Sequence, residues 1–264
     1  MLKTGRIRIA LLLSFVTYTG IIVLLGTAWY SPQWITGFHF FNDAPEWKQM
    51  DKFAHFFWAF QISSLLARLM LWAGMDLRDS AKAGAILGFL FVSSIELMDG
   101  FSVDYGASIF DVVANLLGCL AFFGQSVLWK KINIWPKFSF HTTAFAPLRP
   151  AMLGDGLLEE VLKDYNGQTF WYSFHSKHLR LPAWLNLAVG VGAEGMLRAR
   201  DEQNALMNFS PHRKYFLSVD LNFSHIQSQS RILNWLLYLV NVIKVPAPTI
   251  EISSQGIRFH PIYF

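Results

Sequence analysis

Charge is what this sequence has least of. Only 15% of its 264 residues are Asp, Glu, Lys or Arg, against about 25% in an average soluble domain. Cysteine is nearly missing too: Cys119 stands alone, so no disulfide can form within the chain. No P-loop, H-E-x-x-H, C-x-x-C or nucleophile-elbow pattern occurs, which removes the reactions those motifs organise. "VGVGAEGM" (189–196) is rich in glycine but lacks the G-x-G-x-x-G spacing and following helix of a dinucleotide site. The net charge of +4 divides evenly between residues 1–137 and 138–264, so no basic tail points to nucleic acid as a partner.

What is abundant is apolar surface. Hydrophobic residues make up 53% of the chain, with 24 Phe and 10 Trp. Residues 9–30 are uncharged and follow Lys3, Arg6 and Arg8; a bilayer takes roughly 20 residues of helix. "GTAWYSP" (26–32) is a poor cleavage site with no lipobox cysteine after it, so the expectation is an uncleaved anchor. Further spans are expected at 53–75, at a short 83–97 with Gly84 and Gly88 in a G-x-x-x-G pattern, and at 108–129. Basic residues cluster before the first span, at Arg78 and Lys82, and at Lys130, Lys131 and Lys137. The positive-inside rule then places both termini in the cytoplasm, with 31–52 and 98–107 outside.

Past Pro136 the period changes. The stretches 169–176, 184–192, 214–223, 249–254 and 257–264 read as strands separated by Gly, Pro and Asn. Five strands are too few for a membrane barrel of eight or more. "SRILNWLLYLVNVIK" (230–244) reads as the core helix under that sheet, with an in-plane membrane helix as the alternative. Asn166-Gly167 reads as a hairpin turn, and His175 and His178 with Trp171 offer a second, weaker groove. The expected fold is a membrane α-helical bundle of about four spans over 1–137, followed by a smaller α+β domain with an antiparallel sheet over 138–264.

Polar residues interrupt the bundle in three places. "MDKFAHFF" carries Asp51, Lys52 and His55; "IELMDG" carries Glu96 and Asp99; "SIFDVVANLLG" carries Ser108, Asp111, Asn115 and Gly118. Steps of three and four put each set on one helical face. Ionisable groups within spans are costly and usually mark a site. Simpler roles exist for each alone. Ser108 with Asp111 is a capping box, Asp51 suits a helix N-terminus, His55 a packing position, and Asn115 an interhelical contact worth roughly 1 kcal/mol. Caps do not account for Glu96, Asp99 and Asn115 together. The candidate ligand-binding set is therefore Asp51, Lys52, His55, Glu96, Asp99, Ser108, Asp111 and Asn115. Within it, His55, Glu96, Asp99 and Asp111 suit a divalent cation. The other chemistry open to the set is general-base action by His55 paired with Asp51.

The ordered motifs "DKFAHF", "ELMDG" and S-x-x-D-x-x-x-N-x-x-G, over about 51–124, resemble the VanZ-like family and its YfiM-like relatives of unknown function. "LRPAMLGDGLLEEVLKDYNGQTFWYSF" and "YFLSVDLNF" are similar to the longer YfiM-like proteins of Bacteroidetes-type bacteria. The resemblance implies a bacterial envelope location and, for VanZ itself, a link to glycopeptide resistance. Relatives are described as predicted periplasmic proteins or lipoproteins. It supplies no activity. The resulting expectation is an integral envelope protein, in the inner membrane rather than periplasmic or outer-membrane associated. Its partners would be membrane lipid and a lipid-linked or cell-wall-related ligand. The alternative is a non-enzymatic, membrane-anchored scaffold for envelope assembly. Reporter fusions after residues 45 and 104 should report an outside location, and fusions after 80 and 135 a cytoplasmic one. An outside signal after 135 would overturn this orientation.

Overall fold

Small residues set the spacing of the helices in the first half of the chain. The computed structural model describes residues 4–29, 36–103, 105–176, 181–226 and 228–264. It divides into two units, one of residues up to Ala44 with Lys52–Ile132, the other of Pro45–Asp51 with Asn133–Phe264. The first holds helices α1 (Thr4–Trp29), α2 (Met50–Trp72), α3 (Leu77–Gly100) and α4 (Ile109–Leu128). All four are long and apolar enough to cross a membrane by length and composition. α1 is apolar all round, with Leu12, Phe15 and Leu24 exposed, as a helix in lipid would be.

α2 lies close against both α3 and α4. A Cβ on Gly84 or Gly88 of α3 would overlap Ser63 and Ala67 of α2, and one on Gly118 of α4 would overlap the Phe56 carbonyl. Hydrocarbon gives helices no hydrophobic drive to associate, so such close approach supplies the packing energy. Ser63 Oγ also donates to the buried Cys119 Sγ at 3.3 Å. α1 joins through Ala10 against Met70 and Ala73, and through Tyr18, stacked on Phe91 at 4.4 Å. The third span is longer than the expected 83–97. Asp76 caps it by accepting from Asp79 N at 2.8 Å, so the charged turn with Arg78 and Lys82 winds into the helix before the apolar run begins.

The second unit is an antiparallel six-stranded sheet in sequential order: β1 (Ile134–Phe140), β2 (Gln168–Phe174), β3 (Leu185–Glu194), β4 (His212–Leu221), β5 (Ala247–Ser253) and β6 (Gly256–Tyr263). It also carries α5 (Pro150–Leu153), α6 (Leu157–Lys163), α7 (Asp201–Ala205) and α8 (Arg231–Val240). Trp171, Ala188, Phe216 and Tyr263 form its apolar centre. The helices-then-sheet layout agrees with the sequence reading, but several details differ. The expected break at 137 falls inside β1, because Pro136 sits within that strand opposite Tyr172. Its other edge meets only a short bridge at 242–244, where a proline is tolerated. The unit is not the smaller of the two. Asn166-Gly167 does not join two strands; it turns the chain from α6 into β2, with Gly167 N donating to Asp164 O at 3.1 Å. Trp171 is fully buried and so lines no groove with His175; His178 lies outside the described residues. α8 is no core helix, since Tyr238 alone is buried in it.

Residues Pro45–Asp51 belong to this second unit. Trp47 N donates to Ala199 O at 2.7 Å, its ring meets Tyr165 at 5.7 Å, and Glu46 pairs with Arg200 at 3.1 Å. Nothing in the period of that stretch announces these long-range contacts.

The helix packing predicts an asymmetry among glycines. Gly88→Val and Gly118→Val should each cost about 1–3 kcal/mol through overpacking. Gly124→Ala, where a Cβ meets nothing within 4 Å, should be neutral or stabilising by about 0.5–1 kcal/mol. Thermal unfolding of the detergent-solubilised variants checks the ordering.

Candidate functional site

Two connections tied together form the floor of the site. Phe41 N donates to Ala107 O at 3.0 Å, Ala107 N to His39 O at 3.0 Å, and His39 N to Gly100 O at 2.9 Å. This ladder brings Asp43 to Ser108 at the start of α4. Ser108 does cap that helix, accepting from Asp111 N at 3.1 Å. Its hydroxyl donates to Asp43 Oδ1 at 2.6 Å. The expected capping box is not reciprocal, however. The backbone N–H of Ser108 donates to Glu96 Oε2 of α3 at 3.1 Å, which leaves the Asp111 carboxylate for other partners.

Those partners come from α2. Lys52 Nζ lies 2.7 Å from Asp111 Oδ1 and also pairs with Asp43. One turn further along, His55 reaches across to both neighbouring helices. Its Nε2 is 3.7 Å from Glu96 Oε1 and 3.7 Å from Asp111 Oδ2. Its Nδ1 is 3.1 Å from Asn115 Oδ1, and Asn115 Nδ2 points back to Ser93 Oγ at 3.5 Å. An amide oxygen can only accept, so Nδ1 carries the proton of that bond. Nε2 is then turned towards the two carboxylates. Glu96, Asp111 and Asn115 are buried. Glu96 Oε1 has no hydrogen-bond partner among the described residues, and a separation of 3.7 Å is too long for one with His55.

The three helical stripes thus meet where sequence spacing placed them. His55, Glu96 and Asp111 bring a ligand atom each to within 4.8 Å of one another. Asp99 is not among those three. It stands three residues beyond Glu96, about 60° round the helix and one turn along, in the last turn of α3. Asp51 occupies the first turn of α2 and is buried. The His55 ring faces Glu96 on α3 and Asp111 and Asn115 on α4. Asp43 and Ser93 were missed by sequence reasoning. Asp43 sits in a connection with no helical period to mark it, and Ser93 acts only through an amide.

Chemically, a half-buried imidazole nitrogen and two buried carboxylates face one another. Two donors 3.7 Å apart can both lie about 2.1 Å from one ion, the usual length for His and carboxylate ligands. The Asn115 bond to Nδ1 is of the kind that orients a histidine when it serves as a ligand. Mixed nitrogen and oxygen donors suit manganese or zinc better than calcium. Lys52 meanwhile neutralises the outer pair. Burial pushes the Asp43 carboxyl up, but its hydrogen bonds with Asp111, Lys52 and Ser108, and the charge of Lys52, outweigh that and hold it below the ordinary range.

A protein-family model described as "Predicted periplasmic lipoprotein (DUF2279)" matches residues 39–127. No curated protein and no solved structure matches the chain. The matched stretch is similar to an envelope family, which agrees with an envelope placement, and it contains Asp43, Lys52, His55, Glu96, Ser108, Asp111 and Asn115. Within these residues the sole cysteine, Cys119, is buried in α4.

A carboxyl held below its ordinary pKa contributes stability above that pKa and loses it as pH falls through the folded value. Asp43→Asn should therefore lower the melting temperature at neutral pH and flatten the loss of stability below about pH 4. Ser108→Ala, which removes the cap and the bond to Asp43, should cost about 0.5–2 kcal/mol at neutral pH. Melting curves of both variants across pH check these outcomes.

Proposed function

We propose that this chain is an integral membrane protein of the bacterial cell envelope, of the VanZ/YfiM-like type, in which His55, Glu96 and Asp111 hold a divalent cation. Through that cation the site engages the phosphate of a lipid-linked or cell-wall-related ligand. The reading rests on one observation above the others. Glu96 Oε1 is buried without a hydrogen-bond partner among the described residues and faces His55 Nε2 at 3.7 Å. A buried carboxylate oxygen left in that state costs about 1–3 kcal/mol or more, and a cation shared with His55 and Asp111 removes the cost. Four helices of membrane-spanning length and a match to an envelope family support the location, with the inner membrane as the host. In this reading the site binds its ligand through the cation.

Thermal unfolding of the detergent-solubilised full chain, with and without manganese or zinc, tests this. Cation at about 100 times its Kd should stabilise the native protein by about 2.7 kcal/mol. Glu96→Gln should leave the cation-free melting temperature unchanged or raised, because it relieves the repulsion between acceptors, and should abolish the response. Asp99→Asn should keep the response. Equal destabilisation by Glu96→Gln and Asp99→Asn with no cation dependence would contradict the ion site and leave the scaffold role in its place.

A further inference from the structure

The sheet of the second unit carries apolar residues on both of its faces. In a water-exposed antiparallel sheet the apolar residues face the core and the polar ones face solvent. Here the inward row Lys137–Trp171–Gly190–Phe216–Glu251–Arg258 alternates with the outward row Phe138–Phe170–Val191–Tyr215–Ile252–Ile257 across all six strands. The next outward row, Pro136–Tyr172–Val189–Leu217–Ile250–Phe259, is equally free of charge. On β4 to β6 these outward residues are well exposed, Leu217 46%, Phe259 66%, Ile257 75%, whereas Pro136 of β1 and Phe170 of β2 are buried, and Arg258 at the β6 edge is exposed. The inward neighbours Phe216 and Glu251 are 3% and 2% exposed.

Charged and polar side chains pair within the interior. Lys137 Nζ meets Asp220 at 2.7 Å, Ser173 Oγ donates to the same carboxylate at 2.6 Å, and Asn186 Nδ2 donates to Ser173 at 3.0 Å. Glu251 pairs with His260 at 2.9 Å, and Lys214 with Glu194 at 2.6 Å. Thr169 and Tyr263 bond across the curl of the sheet at 3.1 Å. Paired charges therefore share the interior with the apolar centre of Trp171, Ala188, Phe216 and Tyr263, and a second, uncharged apolar face lies outside.

We propose that the outer face of β3 to β6 lies against lipid acyl chains. Three features select lipid over a second protein. The outward rows carry no charge and only tyrosine hydroxyls, whereas a protein interface carries about one hydrogen bond per 100–200 Å². Apolar-out, polar-in alternation is the pattern of sheets that face hydrocarbon. α8 adds a second exposed apolar strip, Ile232, Leu236 and Leu239 at steps of four and three. The outer edge of β1 is not left open, since Phe138 N donates to Val242 O at 3.0 Å and Lys244 N to Phe138 O at 2.9 Å. This surface is separate from the ion site, and the inference stands without it.

The test is made on the full chain with Cys119→Ala, reconstituted in phosphatidylethanolamine–phosphatidylglycerol vesicles. Nitroxide labels go on Leu217→Cys, Ile250→Cys and, as an exposed polar control, Gln203→Cys. A charged nickel chelate is excluded from hydrocarbon and oxygen is not. The ratio of oxygen to nickel collision rates at 217 and 250 should thus exceed that at 203 on the order of tenfold. In the unsubstituted protein, a lipid with a photoactivated carbene on its acyl chain should label β4 and β5. Ratios at 217 and 250 equal to the control would overturn the proposal in favour of an aqueous face. Low collision rates with both reagents, and no carbene labelling, would overturn it in favour of a covering protein such as a second copy.

Discussion

The backbone-to-backbone approach of α2 to α3 and α4 is the contact on which the helical unit depends. Gly84, Gly88 and Gly118 are the positions that allow it, because a Cβ at any of them would overlap α2. Without that approach His55 could not be 3.7 Å from carboxylates on two different helices. The small-residue stripe and the polar stripe are thus two halves of one arrangement. The first sets the distance, and the second uses it.

Electrostatics then divides the polar cluster into two parts with different tasks. Lys52 holds Asp43 and one oxygen of Asp111, while Ser108 ties Asp43 and Glu96 to the head of α4. These bonds fix the carboxylates from outside. The inner oxygens, with His55 Nε2 held in place by Asn115, face one another. The Glu96 and Asp111 oxygens, within 4.8 Å of each other, repel when both are ionised unless a positive charge lies between them. The outer bonds hold the inner donors in a geometry they would not adopt alone, which is how a binding site is preorganised.

Much of this was legible in the sequence because helices report their faces through spacing. His55, Glu96, Asp111 and Asn115 lie on stripes of period three and four, and short connections made their helices neighbours. What lay outside a helix could not be read that way. Asp43 enters through a ladder between two connections, and residues 45–51 join the second unit by long-range bonds. Pro136 read as a boundary, although an outermost strand of the sheet accommodates it. The strands themselves were largely visible, but not the sense of their faces. Alternation gives the same period whether the apolar side faces in or out, and only burial tells which.

The proposed function makes His55 Nε2 a metal ligand. Electron spin-echo modulation of manganese bound to the solubilised full chain reads this directly, because a coordinating imidazole nitrogen modulates the echo. Nitrogen modulation in the native protein, lost in His55→Gln and retained in Asp99→Asn, is the predicted result. Bound manganese with no nitrogen modulation, or modulation unchanged in His55→Gln, would contradict the account.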